Sequence, residues 1–252
     1  MTEHAQVPVR VFGGPTALIE YAGLRLLTDP TFDAPGDYEL GPGLVLTKTA
    51  PSATSPAELG RVDAVLLSHD QHPDNLDTSG RALLSDVPMV LTTASGAQRL
   101  GGTARGLAPW DSIELASPDG GTVTVTATPA QHGPKGCEPI TGDVIGFILS
   151  ADGQPTVYIS GDNASVDVVK EIATRVGRVD TAVIFAGAAR TPFFDGALVT
   201  VDGSLAAEAA QILGARHVVP AHTDSWAHFT ETREQFQAAF DAAGISDRLQ
   251  LG

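Results

Sequence analysis

Three histidines and one aspartate, His69, His132, Asp162 and His222, each stand within about four residues of the end of a predicted strand, and this placement constrains the fold more than any other feature of the chain. Strands fix position while the loops at their ends leave side chains free, so layered α/β folds gather their sites there. Val62 to Ser68 reads as a buried apolar strand that runs directly into His69. Thr122 to Thr128 alternates strictly, as a strand with one wet face does, and leads through Pro129 to His132. Thr156 to Ser160 runs straight into Gly161-Asp162, and His217 to Pro220 delivers His222.

The first third of the chain is otherwise strand-rich, with Val9 to Phe12, Thr16 to Tyr21 and Leu24 to Thr28, the last stopped by Asp29-Pro30. The Gly/Pro-rich stretch Pro35 to Gly43 reads as a loop. Asp77 or Thr78 caps a short helix through Leu84, Met89 to Thr92 is a strand, and Ala94 to Leu100 is a helix. Asp152-Gly153 between two apolar runs signals a hairpin. Helices are expected over Val166 to Val176, Gly203 to Leu213 and Thr230 to Ala243, around a strand from Thr181 to Phe185. A strand-rich beginning with an α/β end implies sheets covered by helices. The 27 glycines and 17 prolines are spread through the 252 residues rather than gathered in a linker, so one domain over residues 1–252 is expected.

Composition narrows the chemistry. The single cysteine, Cys137, excludes an internal disulfide and a thiolate-rich zinc site, so any metal sits on nitrogen and oxygen. A Cys137–His132 nucleophile–base pair lacks an orienting third group and leaves the other polar residues without purpose. The formal charge of −15 repels polyphosphate, which argues against a nucleic-acid partner and leaves a small-molecule substrate. No apolar run approaches the ~18 residues of a membrane span, and Met1 to Gln6 has no basic start, so a cytoplasmic chain without a membrane partner is expected. A homo-oligomer is left open.

The segment Ser68-His69-Asp70-Gln71-His72-Pro73-Asp74-Asn75-Leu76-Asp77 resembles the His-x-His-x-Asp-His signature of the metallo-β-lactamase superfamily. The likeness continues in order through Ala130-Gln131-His132-Gly133-Pro134, Ser160-Gly161-Asp162-Asn163 and Pro220-Ala221-His222. Leu27-Thr28-Asp29-Pro30 is similar to the strand-end Thr-Asp-Pro of the branch containing L-ascorbate-6-phosphate lactonase and related small-molecule metal-dependent hydrolases. The resemblance implies an α/β fold, a four-layer αββα sandwich, and one or two divalent ions, Zn²⁺ or Mn²⁺. It implies that His69, His72 and His132 hold the first ion, that Asp74, His222 and Asn75 hold the second, and that Asp162 bridges them.

Two departures stand out. One extra residue separates His69 from Asp74, so the second histidine of the signature is represented by Gln71 in register or by His72 on a bulged loop. Imidazole is the better ligand, which favours His72. Asn75 replaces the histidine after the aspartate, and its amide oxygen suits a hard ion such as Mn²⁺ better than zinc.

The chemistry implied is hydrolysis, in which metal lowers the pKa of water from about 16 to about 7 and the hydroxide attacks a small ester, lactone or phosphoester. Asp74 would orient the nucleophile and pass a proton to the leaving group, with His228 near that group. Trp226, Glu138 and Arg190 are candidate pocket residues, although Trp226 can equally pack under the closing helix. A nuclease of the same fold and a non-catalytic binding protein with a degraded metal site are the competing readings. His217 is expected to face the core or a neighbouring strand, and His4 to face solvent.

Overall fold

The computed structural model describes residues 6–41 and 43–251, so His4 lies outside the described residues. The chain begins with the antiparallel strands β1 (Val9–Gly13), β2 (Thr16–Tyr21) and β3 (Leu24–Thr28), where Ala22 and Gly23, both at positive φ, make the tight turn between the last two. A separate hairpin follows, β4 (Gly36–Gly41) and β5 (Leu44–Lys48). Then come β6 (Ala64–Leu66), α1 (Thr78–Leu83), β7 (Val90–Thr93), α2 (Ala94–Leu100) and β8 (Ala104–Leu107). The strands β3, β6, β7 and β8 pair in parallel; the segment that holds the β4–β5 hairpin crosses from β3 to β6, and α1 and α2 supply the crossovers from β6 to β7 and from β7 to β8. The resulting sheet has six strands in the order β1-β2-β3-β6-β7-β8.

A second six-stranded sheet is built from the rest, in the order β14-β13-β12-β11-β10-β9. Its antiparallel half is β9 (Ser112–Ala116), β10 (Thr122–Pro129), β11 (Ile145–Ser150) and β12 (Val157–Ile159), with the short helix α3 (Glu138–Thr141) after β10. Its parallel half adds β13 (Thr181–Phe185) and β14 (His217–Ala221), reached through α4 (Val166–Val176) and α5 (Gly203–Leu213). The helix α6 (Arg233–Ala242) follows β14. Side-chain oxygens cap these helices: Ser165 accepts from Val168 N, Asp202 from Leu205 N and Thr232 from Gln235 N.

The two sheets pack face to face. Ile19, Leu26, Leu66 and Leu91 of the first meet Val125, Phe147, Ile159 and Phe185 of the second in one buried cluster. The alternation of β10 works as expected, with Val123, Val125 and Ala127 buried and the intervening threonines facing outward. On the far side of the second sheet Ile148, Tyr158, Ile184 and Val218 pack beneath Val169, Ile172, Ala206, Leu213, Phe236 and Phe240 of the helices. On the far side of the first, Leu18, Leu27, Val65 and Val90 are covered by Leu76, Leu84 and Leu100. Helix, sheet, sheet and helix make the four-layer αββα sandwich.

One segment differs from its sequence expectation. Pro35 to Gly43, read as a loop, carries the strand β4, which pairs with β5. Its residues are exposed or half-buried on both faces, so no core-facing alternation marks it in the sequence. Side-chain and loop contacts fasten it instead. Lys48 Nζ forms a buried ion pair with Asp77 Oδ2 at 3.0 Å, and Tyr38 donates to Asp33 Oδ2 at 2.9 Å. The edge strands β8 and β9 were likewise not expected, because their residues are largely exposed or half-buried.

Candidate metal centre

Four strand ends carry the candidate ligand residues. β6 is followed closely by Ser68-His69, β10 by His132, β12 by Gly161-Asp162, and β14 immediately by His222. With His72 and Asp74 from the loop after β6, these side chains converge into two groups. His69, His72, His132 and Asp162 form one and Asp74, Asp162 and His222 the other, each with donor atoms within 4.8 Å of one another, and Asp162 belongs to both.

Hydrogen bonds behind the imidazoles set their tautomers. His132 Nδ1 lies 2.7 Å from Val199 O, which can only accept, so the proton is on Nδ1 and the lone pair on Nε2. Ser68 Oγ donates to Asp29 Oδ1 at 2.6 Å and therefore accepts from His69 Nδ1 at 2.9 Å. Both free Nε2 atoms face His72 Nδ1, at 2.9 Å from His69 and 3.3 Å from His132. Burial, reinforced by the neighbouring imidazoles, pushes His69 well below its ordinary range and His72 down to about 4. Neutral imidazoles with converging lone pairs are what a cation requires.

The second group is richer in negative charge. His222 places Nε2 3.2 Å from Asp74 Oδ2 and Nδ1 3.3 Å from Asp162 Oδ1, the latter not aligned as a hydrogen bond. Burial opposes charge on His222, yet Asp162 and Asp74 together raise it above its ordinary value. Burial likewise opposes charge on Asp74, but hydrogen bonds from His222 and His228 hold it well below the carboxylate range. Burial drives Asp29 well above that range, only partly offset by Ser68. Asp74 Oδ1, Asp162 Oδ2 and Asn75 Oδ1 are buried without a hydrogen-bond partner. Oxygens stranded in this way are costly unless a cation meets them, so these residues fit a divalent metal.

The backbone holds the cluster under local strain. His222 sits at φ +58° and Asp29 at φ +30°, left-handed conformations that cost a non-glycine residue free energy and are often found at functional sites. The His222 N–H donates to Gly14 O at 2.6 Å, and Gly14 N in turn donates to Asp224 Oδ1 at 2.9 Å. Gly161 (φ +56°) lets Asp162 approach, since a Cβ there would lie 2.5 Å from Ile145 O and 2.9 Å from Ser68 Cβ.

The remaining candidates separate cleanly. Gln71 is exposed and its amide packs over Gly142, whereas His72 stands in the cluster. Asn75 directs Nδ2 at Asp162 Oδ1 and Asp29 Oδ1, at 3.4 and 3.5 Å, which makes it a tether between the two carboxylates. His228 Nε2 is 3.0 Å from Asp74 Oδ2. A cavity of about 230 Å³ opens over the cluster, walled by residues that include His228 and Arg190. Trp226 and Glu138 are not on that wall. Trp226 is buried, with its ring 5.4 Å from Tyr38 and beneath Lys48, and Glu138 is exposed on α3. Half-buried His217 lies 2.9 Å from Gln250 Nε2. Asp29 and Ser68 carry no local sequence mark as supports of His69 beyond Thr28-Asp29-Pro30 at a strand end.

Residues 24–223 match the family model described as the beta-lactamase superfamily domain. The chain belongs to the β-lactamase superfamily. The matched span starts at β3, just before Asp29, and closes just after His222, so it encloses both candidate metal-binding groups of this superfamily member. Two similar proteins are each named UPF0173 metal-dependent hydrolase. The one from Pelotomaculum thermopropionicum is 30% identical over 201 residues, 77% of this chain and 81% of that protein. The one from Methanosphaerula palustris is 29% identical over 186 residues, 71% of this chain and 76% of that protein. Among solved structures, a possible metal-dependent hydrolase from Veillonella parvula has TM-score 0.83 at 16% identity, covering 98% of this chain and 97% of that one. An isothiocyanate hydrolase from Delia radicum gut bacteria has TM-score 0.79 at 22% identity, covering 96% and 94%. This superfamily member is a metal-dependent hydrolase of the metallo-β-lactamase fold.

Proposed function

We propose that this hydrolase cleaves a small ester, lactone or phosphoester with one or two zinc or manganese ions. The observation that carries the reading is the meeting of His69 Nε2, His72 Nδ1 and His132 Nε2 beneath the cavity, beside a carboxylate shared with a second, more acidic group. His69, His72 and His132 would hold one ion and Asp74 and His222 the other, with Asp162 between. A bound ion supplies Lewis acidity and lowers the pKa of water from about 16 to about 7.

The chain's own groups do the rest. Asp74 Oδ2 accepts from both His222 and His228, which keeps the carboxylate charged and placed to orient a water's O–H. His228, on the cavity wall 3.0 Å from that oxygen, carries a proton to the side where the leaving group departs. Asn75 keeps Asp162 and Asp29 in register through its amide. Arg190 faces the same cavity and orients a polar end of the substrate. The charge of −15 and the small cavity favour a small molecule over a nucleic acid, and the single cysteine suits the cytoplasm.

The experiment is a metal analysis and assay of protein loaded with zinc or manganese, using p-nitrophenyl acetate, γ-butyrolactone and p-nitrophenyl phosphate. His72→Ala is expected to lose an ion and more than about a hundredfold in turnover, and Gln71→Ala to keep both. Absence of bound metal, or inertness toward all three substrates, would refute the reading.

A further inference from the structure

The mouth of the cavity over the metal cluster is apolar. Among the described residues, the large hydrophobic side chains left exposed are Leu40, Val45, Ile140 and Phe193, at 41, 48, 54 and 56% exposure, and every one of them lines this cavity. They come from three places in the chain: the β4–β5 hairpin, α3 and the short 3-10 turn Pro192–Phe194. Exposed hydrophobics that are scattered singly need no explanation, whereas a set gathered on one opening marks a binding surface. Half-buried Leu44 and Leu46 extend the same wall.

The polar side of the opening is sparse. Among the described residues Arg190 is the one guanidinium or ammonium on the wall, and its Nη1 is already committed to Gly196 O at 2.5 Å. Beyond the proposed ions beneath, this wall adds a single cation toward a phosphoester's charge, which the acidic chain repels. The cavity, about 230 Å³, is smaller than the roughly 300–1,000 Å³ that drug-sized ligands occupy, so any apolar group it takes is short.

We infer that the substrate carries a short alkyl or acyl arm, seated between the hairpin, α3 and the Pro192–Phe194 turn, next to an uncharged carboxylic ester or lactone. The inference rests on the hydrolytic reading above and narrows it. Water's oxygen joins the acyl carbon, the bond from that carbon to the alkoxy oxygen breaks, and the alkoxide leaves as an alcohol with a proton taken from the water.

Straight-chain alkyl hydroxamates of two to eight carbons, bound to the zinc-loaded protein and followed by calorimetry, test the arm independently of turnover. Affinity is expected to rise about two- to fourfold per methylene until the cavity is filled. Val45→Ser and Phe193→Ser, at exposed positions that the fold does not need, are expected to flatten the series. Affinity independent of chain length overturns the inference. A p-nitrophenyl ester series from acetate to hexanoate is expected to show kcat/KM rising in parallel, with p-nitrophenyl phosphate the poorer substrate. If hydroxamate affinity climbs while no ester is cleaved, the apolar arm stands and the ester reading falls. If sedimentation shows a dimer that the two serine variants dissociate, with the chain-length dependence unchanged, a second copy covers these residues and the inference is wrong.

Discussion

His69 Nε2 and His72 Nδ1 stand 2.9 Å apart in a buried pocket, two ring nitrogens face to face. Burial and the surrounding imidazoles hold His69 well below its ordinary value and His72 at about 4, while both titrate near 6.5 in an unfolded chain. The folded state therefore binds fewer protons than the unfolded one between about pH 4 and 6.5. The share of stability that these two histidines give the chelator-treated protein is full above about pH 6.5 and falls as pH drops through that window, while His222, raised by Asp162 and Asp74, works in the opposite sense at higher pH. Bound metal should leave over the same range, because protons compete for the same nitrogens. Thermal unfolding at pH 8, 6 and 5 checks this, and a melting temperature that does not change across them contradicts it.

Ser68 links the buried Asp29 carboxylate to the proposed ligand His69. Ser68→Ala removes the hydroxyl that accepts from His69 Nδ1 and donates to Asp29, while the Ser68 N–H can still reach Asp29 Oδ1 at 3.0 Å. The fold is expected to survive and metal affinity to fall about 10–100-fold, read by competition with a chelating dye. Unchanged affinity would show that His69 is oriented by packing alone.

How far these features are legible in the sequence depends on the distance over which they are encoded. Thr122 to Thr128 announces its strand because period-two alternation is local, and the sheet ends that carry His132, Asp162 and His222 follow from apolar runs of the same kind. The support of His69 by Asp29 is not local. It exists because β3 and β6 pair in parallel with Thr28 opposite Leu66, which brings residues 29 and 68 together across 39 positions. The β4–β5 hairpin has no buried face to declare itself. Lys48 reads as a surface residue until Asp77 is placed beside it. In the loop after His69, donor chemistry favoured His72 over Gln71, and the structure turns His72 toward His132 while Gln71 lies over Gly142.

The Lys48–Asp77 pair offers a separate test. Asp77 also caps α1 by accepting from Gly80 N at 2.8 Å and accepts from Asp33 N at 2.6 Å, so it is fixed in its buried place. Lys48→Met leaves that carboxylate without its cation and is expected to destabilise the protein by about 3 kcal/mol, toward the low end for a broken buried pair. In a chain of this length that lowers the melting temperature by about 6–12 °C. A shift under about 2 °C would mean that the backbone donors to Asp77 suffice.

Among the described residues the β4–β5 hairpin shares no strand pairing with either main sheet, yet it supplies Leu40, Leu44, Val45 and Leu46 to the entrance above the candidate ligands. Much of the apolar entrance and the candidate ligands thus lie on separate stretches of chain. The hairpin's tip can be lengthened, shortened or exchanged without disturbing the sandwich, so long as Tyr38 and Lys48 keep their grip at its base. An engineer, or natural drift, could retarget this scaffold by grafting a dozen residues and leaving the histidines untouched.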